Sequence, residues 1–235
     1  MHKIAIPQSI VDRVIARRGQ ALSFEGLDPR KTALVVIDMQ NGFMLPGVAH
    51  SPCAEAIEIV PNINRLARAL RAAGGAVAWV KTRFTEASLA DWSSYYSMLT
   101  PARVQKRIES LSPGGKGYEL WDALESLPGD LMIDKLRFSA FLPGSSDIAE
   151  QLRARGIDTV LITGTVTNVC CESSARDAMM LNFRTIMVTD GNAAITDEEH
   201  NASLIALYLN FADIMSTDQL IACIERNARL AAAAQ

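Results

Sequence analysis

Histidine is the scarcest chemical resource of this 235-residue chain, and its shortage removes whole mechanisms. Only His2, His50 and His200 are present. A Cys/His pair of the protease kind would have to use His50, in a loop after the first predicted strand. His2 is expected at a mobile terminus, and His200, behind Asp197, Glu198 and Glu199, at the solvated start of a helix. The cysteines Cys53, Cys170, Cys171 and Cys223 show no CxxC spacing, so a structural zinc site lacks its ligands. A bridge between Cys170 and Cys171 is disfavoured because adjacent α-carbons lie only about 3.8 Å apart.

A strong excess of either charge is also missing. The formal net charge is −3, with no basic block, which removes the electrostatic footprint of a nucleic-acid or anionic-membrane partner. No apolar window reaches the length of a membrane span. The N-terminal MHKIAIPQSIVDRVIARRG carries charges through its apolar positions and has no signal-peptide core, so reduced thiols and a cytoplasmic location are expected. No GxGxxG follows the first strand, where the chain reads DMQNGF, and PGGKG at 113–117 is a turn rather than a phosphate loop.

What is present is an alternation of short apolar runs with segments of helical period, the pattern of βα units around a parallel sheet. Hydrophobic residues make up 49% and charged residues 21%, ordinary for one globular domain, here expected over 1–235. Strands are predicted at 33–38, 76–82, 130–134, 158–163, 184–189 and, more weakly, 212–216. Helices are predicted near 8–18, 55–73, 145–155, 169–181, 198–210 and 217–229. Right-handed crossovers make this an α/β fold, a three-layer α/β/α sandwich around a six-stranded, mostly parallel sheet. The stretch 84–129 reads as an irregular insertion over one sheet edge.

In such sheets the binding crevice lies outside the carboxyl ends of the strands. Asp38 follows ALVVI, Lys135 follows DLMID, and Cys170 and Cys171 follow DTVLIT by a short loop. Singly, each has a bland explanation: a cap, a solvated cation, a small core residue. Together they are a base, a cation and a nucleophile on one edge. Helical spacing separates the cysteines: Ser173, Ser174 and Asp177 form a polar stripe with Cys170, whereas Ser174, Ala175 and Ala178 leave Cys171 packed. A cysteine opening a helix near Lys135 is expected to have a lowered pKa. Asp190, also at a strand end, reads as a loop or cap carboxylate.

VVIDMQNGF, IDKLRFSAF and GTVTNVCCESSARDAM, in this order and spacing, resemble the isochorismatase-like cysteine hydrolases, over about residues 30–225. TNVC followed by ESSARDAM is similar to the ureidoacrylate group of that family. The resemblance implies an Asp/Lys/Cys triad on Asp38, Lys135 and Cys170. It also implies a non-proline cis peptide between Thr165 and Val166, which would aim the Val166 N–H, with that of Cys170, at an oxyanion. Nicotinamidases of the family add an Asp/His/His metal site beyond the first strand. Here Asn41 and Phe43 stand there without a histidine pair, so no metal and no cofactor are expected.

The implied activity is hydrolysis of a C–N bond in a small amide, ureide or carbamoyl compound, with water as co-substrate, in a homo-oligomer (dimer or tetramer). Asn41, Phe43, Arg83, Tyr95, Tyr96 and Arg137 are candidates to line the pocket, with Trp92 beside them and Arg83 or Arg137 able to hold a carboxylate. The alternatives are isochorismatase-type cleavage of a vinyl ether and a non-catalytic binding protein on the same fold.

Overall fold

The computed structural model describes residues 1–233. Six strands form one sheet in the order β3-β2-β1-β4-β5-β6, where β1 is Thr32–Ile37, β2 Ala76–Thr82, β3 Leu131–Lys135, β4 Thr159–Thr165, β5 Arg184–Ala193 and β6 Asp213–Met215. Every pairing is parallel. All six residues of β1 are buried, because helices cover both faces of the sheet. A doubly covered strand reads as an unbroken apolar run rather than an alternating one.

Two cores result. On one face, helices Val60–Ala72 and Thr217–Ala233 press Leu66, Leu70, Leu220 and Ile224 onto Leu34, Val36 and Trp79. On the other, Ile148–Ala154, Glu172–Met180 and Asp197–Asn210 pack Leu152, Ala175, Ala178 and Leu204 against Val35, Ile37 and Ile162. Among the described residues no helix is long and apolar enough to cross a membrane.

Several element boundaries differ from the sequence expectation: β5, expected at 184–189, runs on to Ala193, the helix expected from 145 begins at Ile148, and two other helices start differently. The helix expected at 55–73 is a 3-10 turn, Ala54–Ile57, followed by a helix whose first turn holds Pro61. Proline, lacking an N–H, is accommodated only in a first helical turn. The helix expected from 169 begins as a π-helical turn, Thr167–Cys171, and becomes α-helical only at Glu172. The peptide Thr165–Val166 that leads into this turn is cis.

The 84–129 segment contains the short helices Ser88–Asp91 and Ser93–Tyr96, the longer Pro101–Leu111 and a turn at Lys116–Tyr118. Its Phe84, Tyr96, Leu111 and Leu124 enter the first core. It is also tied to the chain just beyond β1: Asn41 N–H donates to Glu119, Trp121 N–H to Met39, and the Gln40 amide to the carbonyls of Thr82 and Tyr118. These bonds hold the helix Pro101–Leu111 close to the carboxyl end of the sheet, where Arg103 and Arg107 join the wall of the cavity above Cys170.

Strand order reverses between β1 and β4, so their carboxyl ends flank the crevice that open parallel sheets use for ligands. The two strands meet there at Gly164, paired with Ile37. A Cβ on Gly164 would lie 2.0 Å from the Ile37 carbonyl oxygen, and its φ of +116° favours glycine alone. Gly164→Ala must therefore part β4 from β1. We expect a loss of at least about 2 kcal/mol, read as a melting temperature about 5 °C or more lower by circular dichroism. An unchanged melting temperature would show that the strands can separate at this point without cost.

Candidate active site

Asp38 leaves β1 with φ +54°, a left-handed turn that aspartate tolerates better than most residues. Its carboxylate swings across to β2, where Oδ1 accepts from Thr82 N–H at 3.0 Å and from Thr82 Oγ1 at 2.8 Å. It caps no helix. Lys135 ends the edge strand β3 beside Thr82 and is wholly buried. Its ammonium donates to Thr82 Oγ1 at 2.6 Å and to the Arg137 carbonyl at 3.1 Å, and lies 2.9 Å from Asp38 Oδ2 and 3.6 Å from Cys170 Sγ. Oδ2 faces the ammonium as a close ion pair without an aligned hydrogen bond, and the carboxylate lies within reach of the Cys170 thiol. A free acceptor thus sits beside the thiol.

The two cysteines part as their environments require. Cys170 lines a cavity of about 190 Å³ and is 4% exposed, while Cys171 is fully buried with Sγ 3.9 Å from the Thr163 carbonyl. The resting Cys170 is a thiol, contrary to the lowered pKa expected at a helix start. Burial pushes it up to about 12, the charge of Lys135 opposes this, and the Asp38 carboxylate adds to it. Burial also disfavours the Lys135 charge, yet the Asp38 carboxylate beside it holds the lysine above its ordinary value. The consequence is electrostatic: moving the thiol proton to Asp38 exchanges one Lys135 counterion for another and creates no net buried charge.

Of the residues proposed for the pocket, Phe43 and Tyr95 line it, together with Val166 and Cys170. The others lie elsewhere. Arg83 pairs with Asp134 on the surface, and Arg137 donates to the Leu136 and Asp91 carbonyls and stacks over Trp92. Asn41 is buried, donating to the Lys116 carbonyl, and Tyr96 packs edge-on to Phe84. The arginines that do line the cavity are Arg103 and Arg107. Their signal was the i, i+4 spacing in PARVQKRIESL, legible only once that stretch is read as a helix over the sheet.

Two of the three histidines also differ from expectation. His200 is fully buried, not solvated: its ring meets Thr167 Oγ1 at 2.9 Å and the Thr189 carbonyl at 3.0 Å. Burial, with the neighbouring His2, lowers its pKa to about 4, so it is neutral. His2 is anchored rather than mobile, stacked on His200 and bonded to Asp197 and to Ala194 N–H. His50 lines the cavity, its pKa pushed down to about 3 by burial and by Arg107. Among the described residues no group of three or more His, Cys, Asp or Glu side chains could hold a metal ion.

Residues 32–219 match the isochorismatase domain. The chain is 32% identical to the ureidoacrylate amidohydrolase RutB of Pseudomonas savastanoi pv. phaseolicola, over 92% of this chain and 91% of that protein. A cysteine hydrolase from Pseudomonas syringae pv. phaseolicola superposes with a TM-score of 0.77 at 28% identity, over 86% of this chain and 96% of the other. N-carbamoylsarcosine amidase from Thermoplasma acidophilum gives 0.63 at 27% identity, over 80% and 97%. The family match over most of the chain, the sheet order and the polar cluster at its carboxyl edge agree: the chain belongs to the isochorismatase family of hydrolases.

Proposed function

We propose that the protein hydrolyses the C–N bond of a small amide, ureide or carbamoyl compound through a thioester on Cys170. The observation that carries this reading is the buried contact of Lys135 with both Asp38 and Cys170, beneath a small cavity. The names of two relatives, ureidoacrylate amidohydrolase and N-carbamoylsarcosine amidase, point to the same bond.

In the first half-reaction Asp38 takes the thiol proton as Sγ attacks the substrate carbonyl. Lys135 stays charged and stabilises first the carboxylate, then the sulfur. The backbone N–H groups of Val166 and Cys170 hold the oxyanion, a contribution of typically about 3 kcal/mol per donor. Asp38, now protonated, delivers its proton to the departing nitrogen, which leaves poorly as an anion. In the second half Asp38 deprotonates water, hydroxide adds to the thioester, and the sulfur leaves and recovers its proton.

The test is a panel of amides, ureides and carbamoyl compounds scored for ammonia release, followed by acid quenching and mass spectrometry of the Cys170 peptide with the best substrate. An acyl mass on that peptide is expected during turnover. Rapid turnover with no Cys170 adduct, undiminished by iodoacetamide, would overturn the thioester route.

A further inference from the structure

We propose that Arg107, with Arg103 at the pocket mouth, forms an anion subsite, and that the compound cleaved at Cys170 carries a carboxylate which docks there. The substrate class deepens the amidohydrolase reading and rests on it; the subsite itself does not.

The argument starts from charge. Arg107 is only 7% exposed, yet among the described residues no carboxylate pairs with it. Its Nη1 donates to His50 Nε2 at 2.9 Å, its guanidinium carbon lies 5.4 Å from the Tyr95 ring centre, and its Nε is buried with no partner. His50 cannot supply the missing charge. Accepting from Arg107 leaves its ring neutral with the proton on Nδ1, which is also buried without a partner.

Nor does the catalytic cluster supply it. Asp38 is matched by Lys135, and Cys170 is a thiol, so Arg107 leaves the pocket with one positive charge too many. Among the described residues no acidic side chain lines the cavity; beside the two arginines, His50, Ser51, Thr82 and Cys170, its wall is Phe43, Tyr95, Leu99, Phe138, Val166 and Val169. A buried charge is tolerated only when it is paired, and a guanidinium pairs best with a planar carboxylate that takes two N–H groups at once. Arg103, one turn earlier on the same helix and exposed, can guide the same anion inward. At about 190 Å³ the cavity holds a small molecule, which places the carboxylate a few atoms from the bond that breaks.

Iodoacetate and iodoacetamide test the subsite without knowledge of the substrate. In both, Sγ of Cys170 displaces iodide as an S–CH2 bond forms and the thiol proton is released; only iodoacetate carries the carboxylate. The ratio of iodoacetate to iodoacetamide alkylation rates at Cys170, read by mass spectrometry of the Cys170 peptide and divided by the same ratio for glutathione, should be about 10 or more, since hydrogen bonds to charged groups are worth that factor. Arg107→Gln should return it to near 1 while the iodoacetamide rate stays within about threefold, and Arg103→Gln should reduce it in part. Should Arg107→Gln fold poorly, the wild-type protein still decides: acetate should slow iodoacetamide alkylation of Cys170 and acetamide should not.

A wild-type ratio near that of glutathione, or one unmoved by Arg107→Gln, overturns the subsite. Anion selectivity that vanishes in Arg107→Gln upholds it even where no amide in the panel is hydrolysed, in which case the amidohydrolase reading alone fails. Efficient turnover of neutral amides, with kcat/KM unchanged in Arg107→Gln, overturns the carboxylate assignment and leaves that reading standing.

Discussion

Cys170→Ala should abolish turnover, by a factor on the order of 10,000 or more, because the substrate carbonyl loses the atom it bonds to. Cys171→Ala should keep kcat within about tenfold and lose about 1 kcal/mol of stability, the cost of a small void in a packed site. The contrast follows from position alone. Cys170 lies in the cavity wall 3.6 Å from Lys135, whereas Cys171 points away toward the Thr163 carbonyl. Both variants should fold, since each change removes only one sulfur. The measurement is kcat on the best substrate of the amide panel, with circular dichroism for folding. Equal losses from the two changes in folded proteins would remove the assignment of Cys170 as nucleophile.

The parts of this architecture that were legible in the sequence are those in which a local pattern has only one way to be buried. ALVVI and VLIT are continuous apolar runs because helices cover both faces of the sheet. Once they are strands, the polar residue that ends each run must stand at the carboxyl edge. That logic puts Asp38, Lys135 and Cys170 together without any knowledge of their side chains.

It fails where the partner comes from far along the chain. His200 sits behind three acidic residues and looks solvated, but Thr167 and Thr189 take both ring nitrogens. Arg107 looks like one more surface cation in a charged segment, and only the docking of its helix over the sheet buries it against His50. The ionisation of Cys170 is illegible for a related reason. A helix start lowers a thiol pKa, but here a π-helical turn carries the residue into a site where burial outweighs the neighbouring ammonium.

Asp38→Asn should lower kcat at least about 100-fold, since one nearly isosteric change removes both thiol deprotonation and leaving-group protonation. It should also lower stability, because Lys135 is wholly buried and Asp38 is its counterion. Stranding a buried charge costs about 3–5 kcal/mol. The pH dependence should separate this from a general loss of packing. In the wild type Lys135 is held above its ordinary pKa, so its contribution is full below about 10.4 and fades as pH rises through the raised value.

Without Asp38, burial pushes the lysine the other way. The native variant then binds fewer protons than the unfolded chain just below pH 10.4, and its stability should rise with pH there. Adding Lys135→Met to Asp38→Asn removes the stranded charge and should recover most of the melting temperature but none of the activity. The measurements are kcat well below each melting point and thermal stability between pH 7 and pH 10. A folded Asp38→Asn enzyme with near-normal kcat would leave Asp38 as the partner of Lys135 and take from it the proton transfers; a double variant no more stable than the single one would show that Lys135 is not stranded by the loss of Asp38.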